Sequence, residues 1–123
     1  MKINKLTPML YTETLRETVA FYTDVLGFDC PNFVEEWGWA VVNSGDTEIM
    51  FSLPNAHIEF EKPVFTGSFY FNVENADEFW ERLKDKANVS YPIEDFDNGM
   101  REFAVYDNNG YLLQFGHEIQ ESS

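Results

Sequence analysis

Apolar residues recur at helical spacing along two stretches of this chain. Leu15, Val19, Tyr22 and Leu26 lie at offsets 0, 4, 7 and 11, which is one face of an α-helix and predicts a helix over about 15–26. Thr14 and Glu17 have the capping-box spacing, and Gly27 stands where a helix C-terminus favours a left-handed residue. Ala76, Phe79, Trp80, Leu83 and Ala87 repeat those offsets with one more at 3, predicting a second helix over about 76–86. Asn75 and Glu78 repeat the capping positions.

Two similar helices invite a search for an internal repeat. A shift of 61 residues places Thr14 on Asn75, Glu17 on Glu78, Val19 on Trp80 and Tyr22 on Leu83. The same shift lays TPMLYT (7–12) over SFYFNV (68–73), two strand-like runs. After the first helix come the strand candidates FVEE, WAVVN and EIMFSL; after the second come VSYPIE, REFAVY and YLLQFG. Ser44-Gly45-Asp46 and Asn108-Asn109-Gly110 punctuate them as turns. The stretch between the halves, PNAHIEFEKPVFTG, carries prolines that stop a sheet from running through. Each half reads β-α-β-β-β. The expected organisation is a single domain over 1–123, with one module at about 5–54, a linker at about 55–66 and a second module at about 67–118.

Composition narrows the function. The 123 residues suffice for a packed core without disulfide or metal staples. Aromatic residues make up 17% of the chain, enough either to fill that core tightly or to line a cavity. The net charge of −14 argues against nucleic acid, whose phosphates need a basic footprint, and against an anionic membrane surface. It is compatible with a cationic ligand, though it also serves solubility. Cys30 is the one cysteine, so no internal disulfide can form, and no activating neighbour is visible beside it. The opening MKINKLTPMLYT has no signal-peptide apolar run, and no segment reaches membrane-span length. A cytoplasmic protein is expected.

Two motifs carry a family resemblance. LRETVAFYTDVLGF (15–28) and REFAVYDNNGYLLQF (101–115) resemble the first-helix signature and the closing strand-turn-strand of the vicinal oxygen chelate superfamily. That superfamily comprises the glyoxalases, the extradiol dioxygenases and the bleomycin-resistance type binding proteins. The second motif departs from the pattern, with Asn108 where Pro is usual and Tyr111 where Asn is common. The resemblance implies an α+β, glyoxalase-like fold in which tandem βαβββ modules curl into paired incomplete barrels, and it implies a homodimer.

In metal-dependent members, four side chains from the first and last strands of each module hold a divalent ion. Carried over, those positions are Thr7 and Met50 in the first half and Ser68 and Gln114 in the second. The 61-residue shift pairs Thr7 with Ser68, whereas Met50 and Gln114 stand 64 apart, so three extra residues are expected in the later strands or turns of the second half. A divalent cation of this kind wants imidazole or carboxylate ligands. Thr and Ser hydroxyls are poor ligands, a thioether suits soft copper(I), and one neutral amide cannot hold the ion. The expectation is therefore no metal and no cofactor, closest to the metal-free bleomycin-resistance type, binding a small organic molecule.

Strand alternation gives the residues that would line such a pocket. Met9 and Tyr11 go with Thr7, Tyr70 and Asn72 with Ser68, Glu48 and Ser52 with Met50, and Leu112 and Gly116 with Gln114. Trp37 and Trp39 share a face if WGWAV is extended and could stack a planar or cationic ligand, with Gly38 admitting a close backbone. Arg101 could clamp a carboxylate or pair with a neighbouring acid. The candidate ligand-binding set is Thr7, Met9, Trp37, Trp39, Met50, Ser68, Tyr70, Arg101 and Gln114.

Three alternatives stand beside this reading. The lining side chains could simply fill the troughs and satisfy one another. The chain could be an interaction module. It could also be a glyoxalase-like lyase or dioxygenase with a displaced metal site recruiting Glu48, His57 or His117 around Gln114. His57, Glu59 and Glu61 alternate in the linker, a loose ligand-like spacing, and His117 reads as solvated polarity at a strand end.

Overall fold

The computed structural model describes residues 1–55 and 60–120. The chain divides into two compact units, Met1–Pro63 and Val64–Ser123. Each has the order strand, helix, three strands.

In the first unit, β1 (Met9–Tyr11) leads into α1 (Leu15–Ala20), followed by β2 (Asp29–Val34), β3 (Trp39–Ser44) and β4 (Thr47–Ser52). The sheet order is β1-β4-β3-β2, with β1 parallel to β4 and the other neighbours antiparallel. The predicted helix over 15–26 is present, but its second half, Phe21–Val25, widens into a π-helix. The Thr23 hydroxyl bonds the Val19 carbonyl at 3.0 Å, a back-bond that loosens a helix locally. Gly27, at φ 83°, ends the segment as expected. The predicted capping box does not form, because the Thr14 side chain makes no cap bond. Thr12, Thr14 and Thr18 join their hydroxyls instead, at 3.3 and 3.0 Å. Tyr22 is fully buried, its ring 5.6 Å from Phe28 and 4.9 Å from Phe51.

In the second unit, β5 (Phe69–Asn72) leads into α2 (Ala76–Leu83), then β6 (Asn88–Asp95), β7 (Met100–Tyr106) and β8 (Leu112–Glu118). The sheet order is β5-β8-β7-β6, again with one parallel pair, β5 and β8. The Asn75 side chain accepts from Asp77 N–H at 3.0 Å, the cap its sequence position suggested. Aromatic rings pack on the helix side, where Phe79 and Phe103 each stack on Phe115 at 5.2 Å and Trp80 meets Phe103 at 5.3 Å. Phe103 and Phe115 are essentially fully buried.

Both sheets are open, so each unit is an incomplete barrel rather than a closed one. The helix covers one sheet face in each. Alternation then sends every second residue to the other face, and the candidate site lies there.

Candidate functional site

Ladder register shows which side chains share that other face. In the first unit one rung runs Met9, Met50, Val41, Asn32 across β1, β4, β3 and β2. In the second unit the corresponding rung runs Tyr70, Gln114, Ala104, Tyr91 across β5, β8, β7 and β6. Met9 and Tyr70 are 61 residues apart, Val41 and Ala104 are 63 apart, and Met50 and Gln114 are 64 apart. Two of the three extra residues thus accumulate before β7 and one in the β7–β8 turn. The next rung of the same face sets Tyr11, Ser52, Trp39 and Val34 in the first unit against Asn72, Gly116, Glu102 and Glu94 in the second.

Side chains from the two second-unit rungs form one hydrogen-bonded cluster centred on Glu102, which is 6% exposed. The Tyr70 hydroxyl donates to Glu102 Oε1 at 3.0 Å. The Tyr91 hydroxyl donates to Oε2 at 2.5 Å, and Gln114 Nε2 reaches the same oxygen at 3.4 Å. Gln114 Nε2 also donates to the Tyr91 hydroxyl at 2.8 Å, while Gln114 Oε1 accepts from the Ser68 hydroxyl. Gly116 makes the arrangement sterically feasible. A Cβ there would lie 2.1 Å from the Tyr70 hydroxyl and 3.1 Å from Glu102 Cβ, so the absent side chain leaves the space Tyr70 uses to reach across the strand.

Both phenols hold their protons unusually tightly. Burial, followed by the hydrogen bond to the Glu102 carboxylate and its charge, pushes Tyr70 up to about 12. Burial likewise raises Tyr91 to about 12, with the Gln114 hydrogen bond opposing and Glu102 reinforcing the shift. A second negative charge beside a buried carboxylate is unfavourable, so the two tyrosines act as donors.

The four positions implied by the family resemblance do not present a metal-ligand set. Thr7 donates to Glu48 at 3.2 Å, and Glu48 also pairs with Lys5 at 3.1 Å. Met50 offers only a thioether. Ser68 and Gln114 are hydrogen-bonded to each other. Among the described residues no group of three or more His, Cys, Asp or Glu is placed to hold a metal ion. The donor chemistry at these positions does not fit a divalent metal.

Other sequence expectations change in the structure. Trp37 and Trp39 do not share a strand face: Trp37 ends a 3₁₀ turn (Glu35–Trp37) and is 75% exposed, while Trp39 opens β3. Gly38 lies between them at φ 62°, and the close neighbour it admits is Leu53, whose N–H donates to the Gly38 carbonyl at 2.8 Å. Arg101 faces the helix side. Its Nε and Nη2 grip Asp77 at 2.9 and 2.8 Å, and Nη1 meets Asp95 at 3.0 Å. The Arg101 hydrogen bond lowers the Asp77 carboxyl below its usual range.

His117 is not merely solvated polarity, since its Nδ1 accepts from the Ala76 N–H at 2.9 Å and so caps α2. His57 lies outside the described residues. An open cleft of about 880 Å³ lies beside the start of α2, lined by residues including Glu74, Asp77, Met100, His117 and Glu118. It touches the Glu102 rung only through Asn72 and Gly116. Built polar chemistry, rather than volume, singles out the Glu102 cluster.

Glu102 and Tyr91 were absent from the sequence-derived set. Their signal was there: Glu102 alternates in register with Ala104 on REFAVY, and Tyr91 with Ile93 on VSYPIE. What alternation could not give was which strands lie beside Gln114.

The sequence profile of the Glyoxalase/Bleomycin resistance protein/Dioxygenase superfamily matches residues 2–115, and the chain belongs to that superfamily. Its fold is similar to a glyoxalase/bleomycin resistance protein/dioxygenase from Nocardioides, at 16% identity and a TM-score of 0.79, covering 100% of this chain and 88% of that one. It is similar to TioX from Micromonospora sp. ML1, at 18% identity and a TM-score of 0.77, covering 95% and 100%. It is also similar to a lactoylglutathione lyase from Agrobacterium tumefaciens, at 18% identity and a TM-score of 0.70, covering 94% of each chain. Among curated proteins none matches. Among the described residues, no helix is long and apolar enough to cross a membrane.

Proposed function

We propose that this chain is a metal-free small-molecule-binding protein of the bleomycin-resistance type, holding a toxic or antibiotic-like organic ligand without transforming it. The carrying observation is the engagement of Ser68 and Gln114 with each other and, through Gln114, with Tyr91 and Glu102. The cluster combines hydrogen-bonding groups with the rings of Tyr70 and Tyr91, and a few polar groups beside aromatic surface are what small-molecule sites use. A cytoplasmic homodimer belongs to the same reading, supported by the family resemblance and the single cysteine.

The test is elemental analysis of protein purified without a metal-affinity column, followed by calorimetric titration with nickel, manganese, iron(II) and zinc. The expected result is no ion above background and no saturable heat. One tightly held ion per chain, lost in Gln114→Ala, would overturn the proposal in favour of a lyase or dioxygenase.

A further inference from the structure

Among the described residues two carboxylates are buried, and they are held differently. Asp107 serves its own turn, its Oδ1 accepting from the N–H groups of Asn109 and Tyr111, each at 2.9 Å. Glu102 accepts only from side chains, all of them neutral: Tyr70, Tyr91 and Gln114. No ion pair reaches it among the described residues. Carboxylates are seldom buried without a cation, because neutral donors only partly replace the lost hydration. Other acids of the chain do have cations, as Asp77 and Asp95 have Arg101 and Glu48 has Lys5.

The two oxygens of Glu102 are unequally used. A carboxylate oxygen accepts about two hydrogen bonds. Oε2 already takes two, from Tyr91 and Gln114. Oε1 takes one, from Tyr70, which is 38% exposed and sits on β5 at the margin of the sheet. The under-used acceptor is therefore Oε1, and the group bonded to it is a phenol held against a glycine. A rotation of the Tyr70 side chain would uncover Oε1 while leaving its ring beside the incoming group.

We propose that Glu102 Oε1 anchors the protonated amine of an organic ligand, with Tyr70 as its displaceable cover and the Tyr70 and Tyr91 rings flanking the cation. This rests on the metal-free binding reading and adds to it the chemical class of the ligand. An ammonium supplies the missing positive charge and donates to the under-used oxygen, and aromatic faces stabilise a cation beside them. A neutral alcohol can supply a donor but not the charge, and a carboxylate ligand would be repelled.

The experiment is a ¹H–¹⁵N titration of the full-length labelled chain with benzylammonium, benzyl alcohol and benzoate, in the wild type and in Glu102→Gln and Tyr70→Phe. Benzylammonium is expected to shift the Gln114 side-chain amide and the Gly116 backbone amide saturably, with benzyl alcohol much weaker and benzoate inert. Glu102→Gln, which preserves shape and acceptor, is expected to weaken benzylammonium by about tenfold or more. Tyr70→Phe, which removes the competing hydroxyl, is expected to bind it at least as tightly as the wild type.

Equal binding of alcohol and ammonium, unchanged in Glu102→Gln, would overturn the ammonium anchor and leave the binding-protein reading standing. Absence of any saturable shift in wild type and Tyr70→Phe would also overturn the anchor. A stoichiometric metal in the elemental analysis would instead overturn the reading beneath it.

Discussion

The two units build the same sheet and use its free face differently. On the helix side they are alike, with Tyr22 packed on Phe51 in the first and Phe79 and Phe103 packed on Phe115 in the second. On the other side, Met9, Met50 and Val41 occupy the rung where the second unit places Tyr70, Gln114 and Ala104. One rung further, Trp39 stands where the second unit has Glu102. A repeated fold thus conserves the face that holds it together and leaves the other free to diverge. Polar chemistry has concentrated in the second unit, and the first offers thioether and indole surface.

The comparison breaks most visibly if the two helix-facing cores are not equivalent. Phe51 and Phe115 are both essentially fully buried, so Phe51→Ala and Phe115→Ala should each destabilise by about 3–5 kcal/mol in urea unfolding. A loss below about 1 kcal/mol for either would show that its unit does not depend on that packing.

The helix starts give a smaller, unequal effect. Asn75→Ala removes an observed bond to Asp77 N–H and should cost about 1 kcal/mol. Thr14→Ala removes no such bond in α1 and should cost less. The same urea series measures both, and equal costs would erase the distinction.

The last contrast comes from titration of the free faces. Nothing on the Met9, Met50, Val41, Asn32 rung ionises, whereas Tyr70 and Tyr91 are both raised to about 12. A folded-state value above the unfolded value of about 10 means that the folded chain binds these protons more tightly. Their contribution to stability is present below about pH 10 and is lost as pH rises towards about 12. Ultraviolet titration near the tyrosinate band should show late ionisation that is lost one group at a time in Tyr70→Phe and Tyr91→Phe, and Glu102→Gln should bring both part of the way down. Loss of an ordinary rather than a late ionisation in Tyr70→Phe and in Tyr91→Phe would contradict the cluster.

Much of the architecture was legible from spacing. Both helices, the βαβββ order and the turn glycines followed from periodicity and local chemistry, because a helix face and a tight turn are decided within about a dozen residues. Local detail was less secure where side chains compete with the backbone. The hydroxyls of Thr12, Thr14, Thr18 and Thr23 turned to one another or to carbonyls, so the first capping box is absent and the end of the first helix widens. WGWAV looked extended, but Gly38 takes a left-handed conformation and separates the two tryptophans.

The site was half legible. That Ser68 and Gln114 stand at corresponding family positions, with Tyr70 on the face of Ser68, followed from the repeat, the family motif and strand alternation. The poor metal-ligand chemistry of Thr7, Met50 and Ser68 followed from their side chains. The hydrogen bond between Ser68 and Gln114 came only from the structure. Glu102 and Tyr91 did not emerge, although they lie only 12 and 23 residues from Gln114 in sequence. Arg101, one residue from Glu102, attracted attention as the charged group, yet strand alternation turns it to the helix side and into Asp77.

By itself the sequence determined the repeat, the helices, the family and the absence of a plausible ligand set at four positions, since each depends on residue type at fixed local spacing. Only the tertiary structure decided that β8 lies between β5 and β7 and that β7 pairs with β6. That order brings a carboxylate, two phenols and an amide from four strands into one cluster. Register between strands distant in sequence is set by the burial of the opposite, helix-facing side, and no short stretch of the chain encodes it.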